Sequence, residues 1–209
     1  MRLVLVRHGL PDRVDGAPED RADPVRADPG LTELGLRQAG RVVDALAGEP
    51  VDAVYASTMT RARQTAEPLA RARGLAVRTV HDLREYDADQ QKYLPVHLLA
   101  RENPEEWRRM VEGHLPEHVD VPAFRARVVA ALEEIVAAHP GRGTAVVFAH
   151  AGVINVYLGH LLGIERALPF PLDYAGLTRV IARRDGVRKP RTVNELAHVA
   201  DLLEPAARA

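Results

Sequence analysis

Two histidines stand at matching positions in the sequence, each at the end of a short apolar run. The run LVLVRHG reaches His8 and Gly9, and the run AVVFAHAG reaches His150 and Gly152. A neutral imidazole can act as a nucleophile, and Arg7 places a fixed cation directly before His8. The glycines allow a tight turn and the close approach of a ligand to the backbone. These residue types suit group transfer on an anionic substrate.

Two further charged residues follow other apolar runs. Arg61 comes after VDAVYAS, in the predicted first turn of a helix, where free N–H groups and the helix dipole favour anions. Glu85 comes after AVRTV, within LREYD. Two guanidinium groups suit a phosphoryl group, because each can donate two parallel hydrogen bonds. A carboxylate beside a phosphate dianion is pushed towards its protonated form, although the arginines oppose this, and the protonated form can donate a proton to a leaving oxygen.

The choice of proton donor stays open at this point, because several acids lie close together in the sequence. Asp82, Asp87 and Asp89 are neighbours of Glu85. Ser57 has two possible roles, as a donor to phosphate or as the cap of the following helix. We favour Glu85 as the proton donor.

The elements that must position these residues alternate between strands and helices. Short β-branched runs predict strands at 2–6, 51–57, 76–80 and 144–150. Amphipathic patterns predict helices at 31–46, 60–74, 122–141 and 152–163. Thr32 is the predicted N-cap of the first of these helices, and Gly74 is predicted to end the second. A hairpin over 176–196 has Asp185-Gly186 at its turn. This order predicts an α/β fold with a doubly wound, mostly parallel sheet flanked by helices, and ligands bind such sheets beyond the carboxyl ends of the strands.

Two segments interrupt the alternation. Residues 86–122 are polar, carry four prolines and suggest one or two short helices, so we interpret them as a small helical cap inserted into a single domain that spans 1–209. Trp107, Arg108 and Arg109 lie in this cap. Arg108 or Arg109 could contact a substrate, but we favour a solvated helix face for these two arginines. Residues 10–30 form a long loop of predicted functional role, with Arg13, Arg21 and Arg26 along it.

Bulk composition excludes several classes of protein. The chain has 209 residues, 46% of them hydrophobic, a net charge of -1 and no cysteine. These values argue against nucleic-acid binding, disulfide scaffolds and thiolate chemistry, and no segment is apolar enough to cross a membrane. His114 and His118 have the spacing of a helical metal pair, but Pro116 lies between them, so we expect no metal site. A cytoplasmic location is the simplest interpretation.

Four motifs together resemble the signatures of the histidine phosphatase superfamily, the phosphoglycerate mutase-like proteins. These motifs are VRHG, ASTMTRARQTA, LREYD and FAHAGVI, in the order and spacing of the family. The resemblance implies that His8 becomes phosphorylated while Arg7, Arg61 and His150 bind the phosphoryl group. It also implies that Glu85 donates the proton and later activates water, and that catalysis needs no metal or other cofactor.

The branch of the family is predicted from differences at the first motif. Mutases of the family usually carry polar residues where this sequence has Leu10, Pro11 and Val14. Ala151 stands where many relatives have glycine, and its backbone N–H is expected to face the phosphate. We therefore favour a metal-independent phosphatase that hydrolyses a small-molecule phosphate ester. A phosphoglycerate mutase and a non-catalytic phosphometabolite-binding protein are the alternatives, and the hairpin at 176–195 offers an edge for a homodimer.

Overall fold

The computed structural model describes residues 1–16 and 26–203, so Arg21 of the predicted loop lies outside the described residues. Six strands in this part of the chain form one sheet. They are β1 Arg2–Arg7, β2 Ala53–Ser57, β3 Val77–Val80, β4 Thr144–Ala149, β5 Leu177–Ala182 and β6 Arg188–Glu195.

The sheet is mixed, with a parallel part that carries the motifs. Its order is β3-β2-β4-β1-β5-β6, and the first four of these strands run parallel to one another. Strand β5 runs antiparallel to both of its neighbours, β1 and β6, and it forms the predicted hairpin with β6. Strands β1 and β4 lie in the centre, and their inner residues, 3–6 and 145–148, are all apolar, as expected for strands that are covered on both faces. Arg7 pairs with Ala149 in the register, so the residues that follow the two strands are neighbours.

The described residues contain six α-helices. They are α1 Glu33–Ala45, α2 Thr60–Arg73, α3 Val96–Glu102, α4 Pro104–Val111, α5 Val121–Ala137 and α6 Ala151–Leu162. The Thr32 hydroxyl caps α1 by accepting the Gly35 N–H at 3.0 Å, as the sequence predicts. Helix α2 continues through Pro68 and ends at Gly74, whose left-handed φ of 63° favours glycine.

Two apolar clusters hold the layers together, one on each face of the sheet. Leu3 and Leu5 of β1 point into the cluster formed with α5 and α6, while Val4 and Val6 point into the cluster formed with α1 and α2. The alternation along β1 therefore secures both helix layers, and the predicted doubly wound α/β class is confirmed. Over residues 1–16 and 26–203, no helix is both long and apolar enough to span a bilayer.

The two helices α3 and α4 lie in the predicted cap segment, residues 86–122. They pack on each other, and the Asn103 side chain caps α4 by accepting the Glu106 N–H at 3.2 Å. The loop after β1 contacts this segment, because Val14 and Tyr93 exchange two backbone hydrogen bonds of 3.0 and 2.8 Å. Arg13 adds an ion pair with Glu102 at 2.7 Å. The cap segment is thus tied to the loop that carries the first motif.

Candidate active site

The His8 ring is oriented by the backbone next to it. Its Nδ1 lies 2.7 Å from the Gly9 carbonyl oxygen, and a carbonyl can only accept. The neutral ring therefore carries its proton on Nδ1 and leaves the Nε2 lone pair free. The His8 backbone N–H donates to Ala149 O of β4 at 3.0 Å, which fixes the residue against the neighbouring strand. His8 thus has a defined tautomer with a free Nε2 lone pair, which is what a nucleophilic imidazole requires.

Both histidines are held neutral. His8 and His150 are buried, and their ring centroids lie 5.2 Å apart. Burial is the main cause that lowers the pKa of each well below the usual 6.5, and the positive charges of Arg61 and Arg7 lower both further. A neutral imidazole has the lone pair that attack on phosphorus needs.

Two buried arginines flank the histidines, and each stacks on a tyrosine. The Arg7 guanidinium lies 3.9 Å from the centre of the Tyr174 ring, and the Arg61 guanidinium lies 4.6 Å from the centre of the Tyr93 ring. Arg61 is only 1% exposed, and its Nη2 donates to Asp87 at 3.0 Å. Cation–π contacts and the ion pair fix two charges in an environment with little water, where electrostatic attraction is strong.

Several buried polar atoms of this cluster have no hydrogen-bond partner within the described chain. They are Arg7 Nε, Arg61 Nε and Nη1, both ring nitrogens of His150 and the Tyr174 hydroxyl. Buried polar groups in folded proteins are nearly always paired, so a concentration of unpaired ones calls for an explanation. Half of them are donors on the positively charged guanidinium groups of Arg7 and Arg61, which suits an anion with several acceptor oxygens.

Glu85 is held at the start of α6 by two backbone N–H groups. Its carboxylate accepts from Gly152 at 2.8 Å and from Tyr86 at 3.2 Å. Burial first, and then the charge of Asp87, raises its pKa to about 7 against the opposing effects of the Gly152 N–H and Arg61. A neighbouring phosphate dianion is thus not needed for this rise in the Glu85 pKa, because burial is already sufficient. Glu85 is thus protonated in a large fraction of molecules near neutral pH.

The two motif glycines are required for contacts within the chain. A Cβ on Gly152 would lie 2.4 Å from Glu85 Oε1, and a Cβ on Gly9 would lie 2.6 Å from the Gly35 carbonyl oxygen. Neither glycine has a left-handed φ. The close approaches that the structure shows are made by the chain itself, and the approach of a ligand to these glycines stays a prediction. Gly152 allows Glu85 to reach the site, and Gly9 allows α1 to pack against the first motif.

A cavity of about 750 Å³ opens above these residues. Arg7, His8, Arg61, Glu85 and Ala151 line it, so the structure brings five of the six predicted residues to one surface. The sixth, His150, is fully buried and lies beside His8 without lining the cavity. Ala151 is the first residue of α6; the role of its N–H stays a prediction.

Other predictions about this region have mixed outcomes. Ser57 does not line the cavity; its hydroxyl accepts the Met59 N–H at 3.3 Å, just before α2. Arg26 pairs with Asp89 on the surface at 3.0 Å. Trp107 lines the cavity, because the apolar side of α4 faces it, whereas Arg108 and Arg109 do not line it.

Sequence reasoning missed the tyrosine that supports Arg7. Tyr174 lies in PFPLDYAG, a segment without periodicity, and nothing in the sequence connects it with the first motif. The sequence presents Asp87 only as an alternative acid, but its position two residues after Glu85 is a usable signal, because both residues follow β3. In the structure Asp87 serves as the partner of Arg61.

Residues 3–195 match the pattern of the histidine phosphatase superfamily, branch 1. This chain belongs to that superfamily. Among curated relatives, the probable phosphoglycerate mutase GpmB of Yersinia pestis (strain Pestoides F) is 29% identical over 174 residues, which cover 78% of this chain and 76% of that protein.

Solved structures of the superfamily share the fold. A mycobacterial glucosyl-3-phosphoglycerate phosphatase in complex with VO3 superposes with a TM-score of 0.74 at 25% identity, covering 92% of this chain and 98% of that one. The phosphoserine phosphatase of Entamoeba histolytica, in complex with 3-phosphoglyceric acid, gives a TM-score of 0.71 at 20% identity over 95% and 98% of the two chains. The predicted family and fold class are confirmed, and an enzyme of the phosphatase type is supported.

Proposed function

We propose that this histidine phosphatase superfamily member hydrolyses a small-molecule phosphate monoester, without a metal ion, through a phosphohistidine on His8. The observation that carries the proposal is the group of buried, unpaired donors from Arg7, Arg61 and His150 around an imidazole of fixed tautomer. A phosphoryl group offers acceptor oxygens to such donors, and its negative charge is matched by the two guanidinium groups.

The first step transfers the phosphoryl group to the enzyme. Nε2 of His8 attacks phosphorus while the bond from phosphorus to the ester oxygen breaks. Glu85 gives its proton to that oxygen, so the product leaves as a neutral alcohol and Glu85 becomes a carboxylate. Arg7 and Arg61 stabilise the charge on the equatorial oxygens during transfer.

The second step releases phosphate and restores the enzyme. Water attacks the phosphorus of phosphohistidine, and the Glu85 carboxylate takes a proton from that water. The bond between phosphorus and Nε2 breaks, and its electron pair returns to the His8 ring. Inorganic phosphate leaves, Glu85 is protonated again, and no atom is left over. A pKa near 7 suits Glu85 for both roles, because a group titrating near the working pH can both donate and accept a proton.

Phosphoglycerate mutase activity is the second candidate, because curated relatives carry that name. The structure favours hydrolysis. Leu10, Pro11 and Val14 do not line the cavity, and they are held in backbone pairings with Thr32, Leu31 and Tyr93. They offer no polar side chain to the carboxylate of a phosphoglycerate.

The test is phosphate release from a panel of esters in excess EDTA, with wild type beside His8→Ala. We expect release that survives the chelator and is lost in the variant. Transfer of phosphate between the positions of phosphoglycerate, with little net release, would instead establish the mutase. Tight ester binding without either reaction would support a non-catalytic binding protein.

The predicted cytoplasmic location and homodimer stay predictions. Sedimentation of the purified protein over a range of concentrations tests the homodimer, and cell fractionation tests the location.

A further inference from the structure

The upper part of the cavity is lined mainly by apolar side chains, above the site that holds the phosphoryl group. The cap segment contributes most of them, and one comes from the loop before β5. These side chains are Leu94, Val96, Leu99, Trp107, Met110 and Phe170. With a volume of about 750 Å³, the cavity is within the range of about 300–1,000 Å³ that small-molecule sites occupy. A phosphoryl group alone would fill only its floor.

Helix α4 presents its apolar side to this cavity instead of to a core. Met110 and Val111 come three and four residues after Trp107, so all three share one side of the helix, and all three line the cavity. No residue of α4 is fully buried, and Val111 is 65% exposed. An amphipathic helix normally buries its apolar side against the protein. In this protein the apolar side of α4 is available for contact with a molecule bound in the cavity.

The charged residues of the cavity give little to a second anionic group. The two buried cations, Arg7 and Arg61, belong to the phosphoryl site, and Asp87 already pairs with Arg61. The remaining cations among the described lining residues, Lys92 and Arg166, are exposed at the rim. Beyond Arg7 and Arg61, a substrate carboxylate would therefore find no buried cation among the described lining residues, and burying a charge against the apolar side chains is unfavourable.

We propose that the preferred substrate is a phosphate monoester whose alcohol part is an apolar chain or ring, seated against Trp107, Leu94 and Met110. This inference rests on the proposed function, since the phosphoryl site fixes one end of the substrate. The thioether of Met110 is flexible, so the wall can adapt to chains of different length. The cap segment thus selects the leaving group by apolar contact, and the strand ends perform the chemistry.

A homologous series tests the inference. Ethyl, butyl and hexyl phosphate have alcohols of similar acidity, so the chemical step is matched and the apolar length varies. We expect kcat/KM to rise about two- to fourfold per methylene, the upper limit corresponding to complete burial of each group. We also expect 3-phosphoglycerate to be a poorer substrate than hexyl phosphate.

A matched pair of leucine variants locates the effect. Leu94→Ala removes part of the apolar wall, whereas Leu162→Ala removes a leucine that is 48% exposed at the end of α6 and outside the cavity. The ratio of kcat/KM for hexyl phosphate to that for ethyl phosphate should fall several-fold in Leu94→Ala and in Trp107→Ala. It should stay at the wild-type value in Leu162→Ala. Thermal unfolding of each variant shows whether it is folded.

The outcomes separate this inference from the proposed function. Phosphate release from all esters with no dependence on chain length, or faster hydrolysis of 3-phosphoglycerate, would overturn the apolar substrate and leave the phosphatase intact. If no ester releases phosphate, the proposed function fails. Calorimetric binding of hexyl and ethyl phosphate then decides the preference of the cavity: tighter hexyl binding supports it, and equal binding overturns it.

Discussion

Replacing Glu85 by glutamine should change how stability depends on pH, because the folded chain holds this carboxyl away from water. Its pKa is 4.5 in an ordinary environment and about 7 in the folded protein. At about 1.4 kcal/mol for each pKa unit, this rise corresponds to about 3 kcal/mol of folding free energy. Glutamine keeps the shape and an acceptor oxygen for the Gly152 N–H, but it cannot ionise.

The sign follows from proton binding. Between pH 4.5 and about 7 the folded wild type holds a proton on Glu85 that the unfolded chain has lost. The contribution of this group is therefore fully present below pH 4.5, and it is lost as the pH rises through about 7. Glu85→Gln lacks this loss, so it should become more stable relative to wild type as the pH rises. This gain in stability of Glu85→Gln over wild type should amount to about 2 to 3 kcal/mol between about pH 5 and pH 8.

Urea unfolding of both proteins over this pH range measures the difference. Because the buried histidines titrate in both proteins, their effect cancels when the free energies of unfolding are subtracted. Glu105→Gln, at an exposed carboxylate on α4, is the control for replacing an acid on the surface. The free energy of unfolding of Glu85→Gln minus that of wild type should rise with pH. A difference that stays constant with pH, or that falls as the pH rises, would refute the burial of Glu85 as the cause.

Three further predictions concern catalysis. For alkyl esters, kcat/KM should fall as the pH rises through about 7, because protonated Glu85 is needed, and activity should persist to well below pH 6.5, because burial keeps His8 neutral. p-Nitrophenyl phosphate has a good leaving group, so its kcat/KM should not show the fall at high pH. A pH–rate profile that is the same for both esters would contradict the acid role of Glu85. Arg61→Ala should lower kcat by about two to three orders of magnitude, the usual loss when one preorganised donor is removed, and a loss under tenfold in steady-state assays would contradict its role at the phosphoryl group. Gly152→Ala should displace the Glu85 carboxylate, since the new Cβ would lie 2.4 Å from Oε1. This variant should therefore reduce kcat more for alkyl esters than for p-nitrophenyl phosphate. Gly163→Ala, at the open end of α6, is the control for an added methyl group, and some loss of stability is expected there because the φ of Gly163 is left-handed at 68°.

Much of the fold could be predicted, because the signals were local. Apolar strands between amphipathic helices placed β1, β2, β3 and β4 close to their observed bounds, and Thr32 and Gly74 marked helix ends correctly. The parallel sheet follows from that alternation, and the shared edge of its strands brings the motifs together.

The parts of the site that sequence reasoning missed depend on contacts across the chain. Tyr174 supports Arg7 from a loop far along the sequence, and the pKa of Glu85 depends on how deeply neighbouring elements bury it. The position of Trp107 depends on where α4 lies relative to the cavity. A periodic pattern identifies the apolar side of such a helix but not what that side faces.

Direct detection of phosphate on His8 tests the central claim. The enzyme would be mixed with p-nitrophenyl phosphate, quenched in alkali to preserve a phosphoramidate bond, digested and analysed by mass spectrometry. We predict one phosphoryl group on His8 in wild type, more of it in Glu85→Gln, because the second step needs the carboxylate, and none in His8→Ala. Turnover by wild type with no trace of phosphohistidine, or phosphate on another residue in His8→Ala with activity retained, would contradict the account.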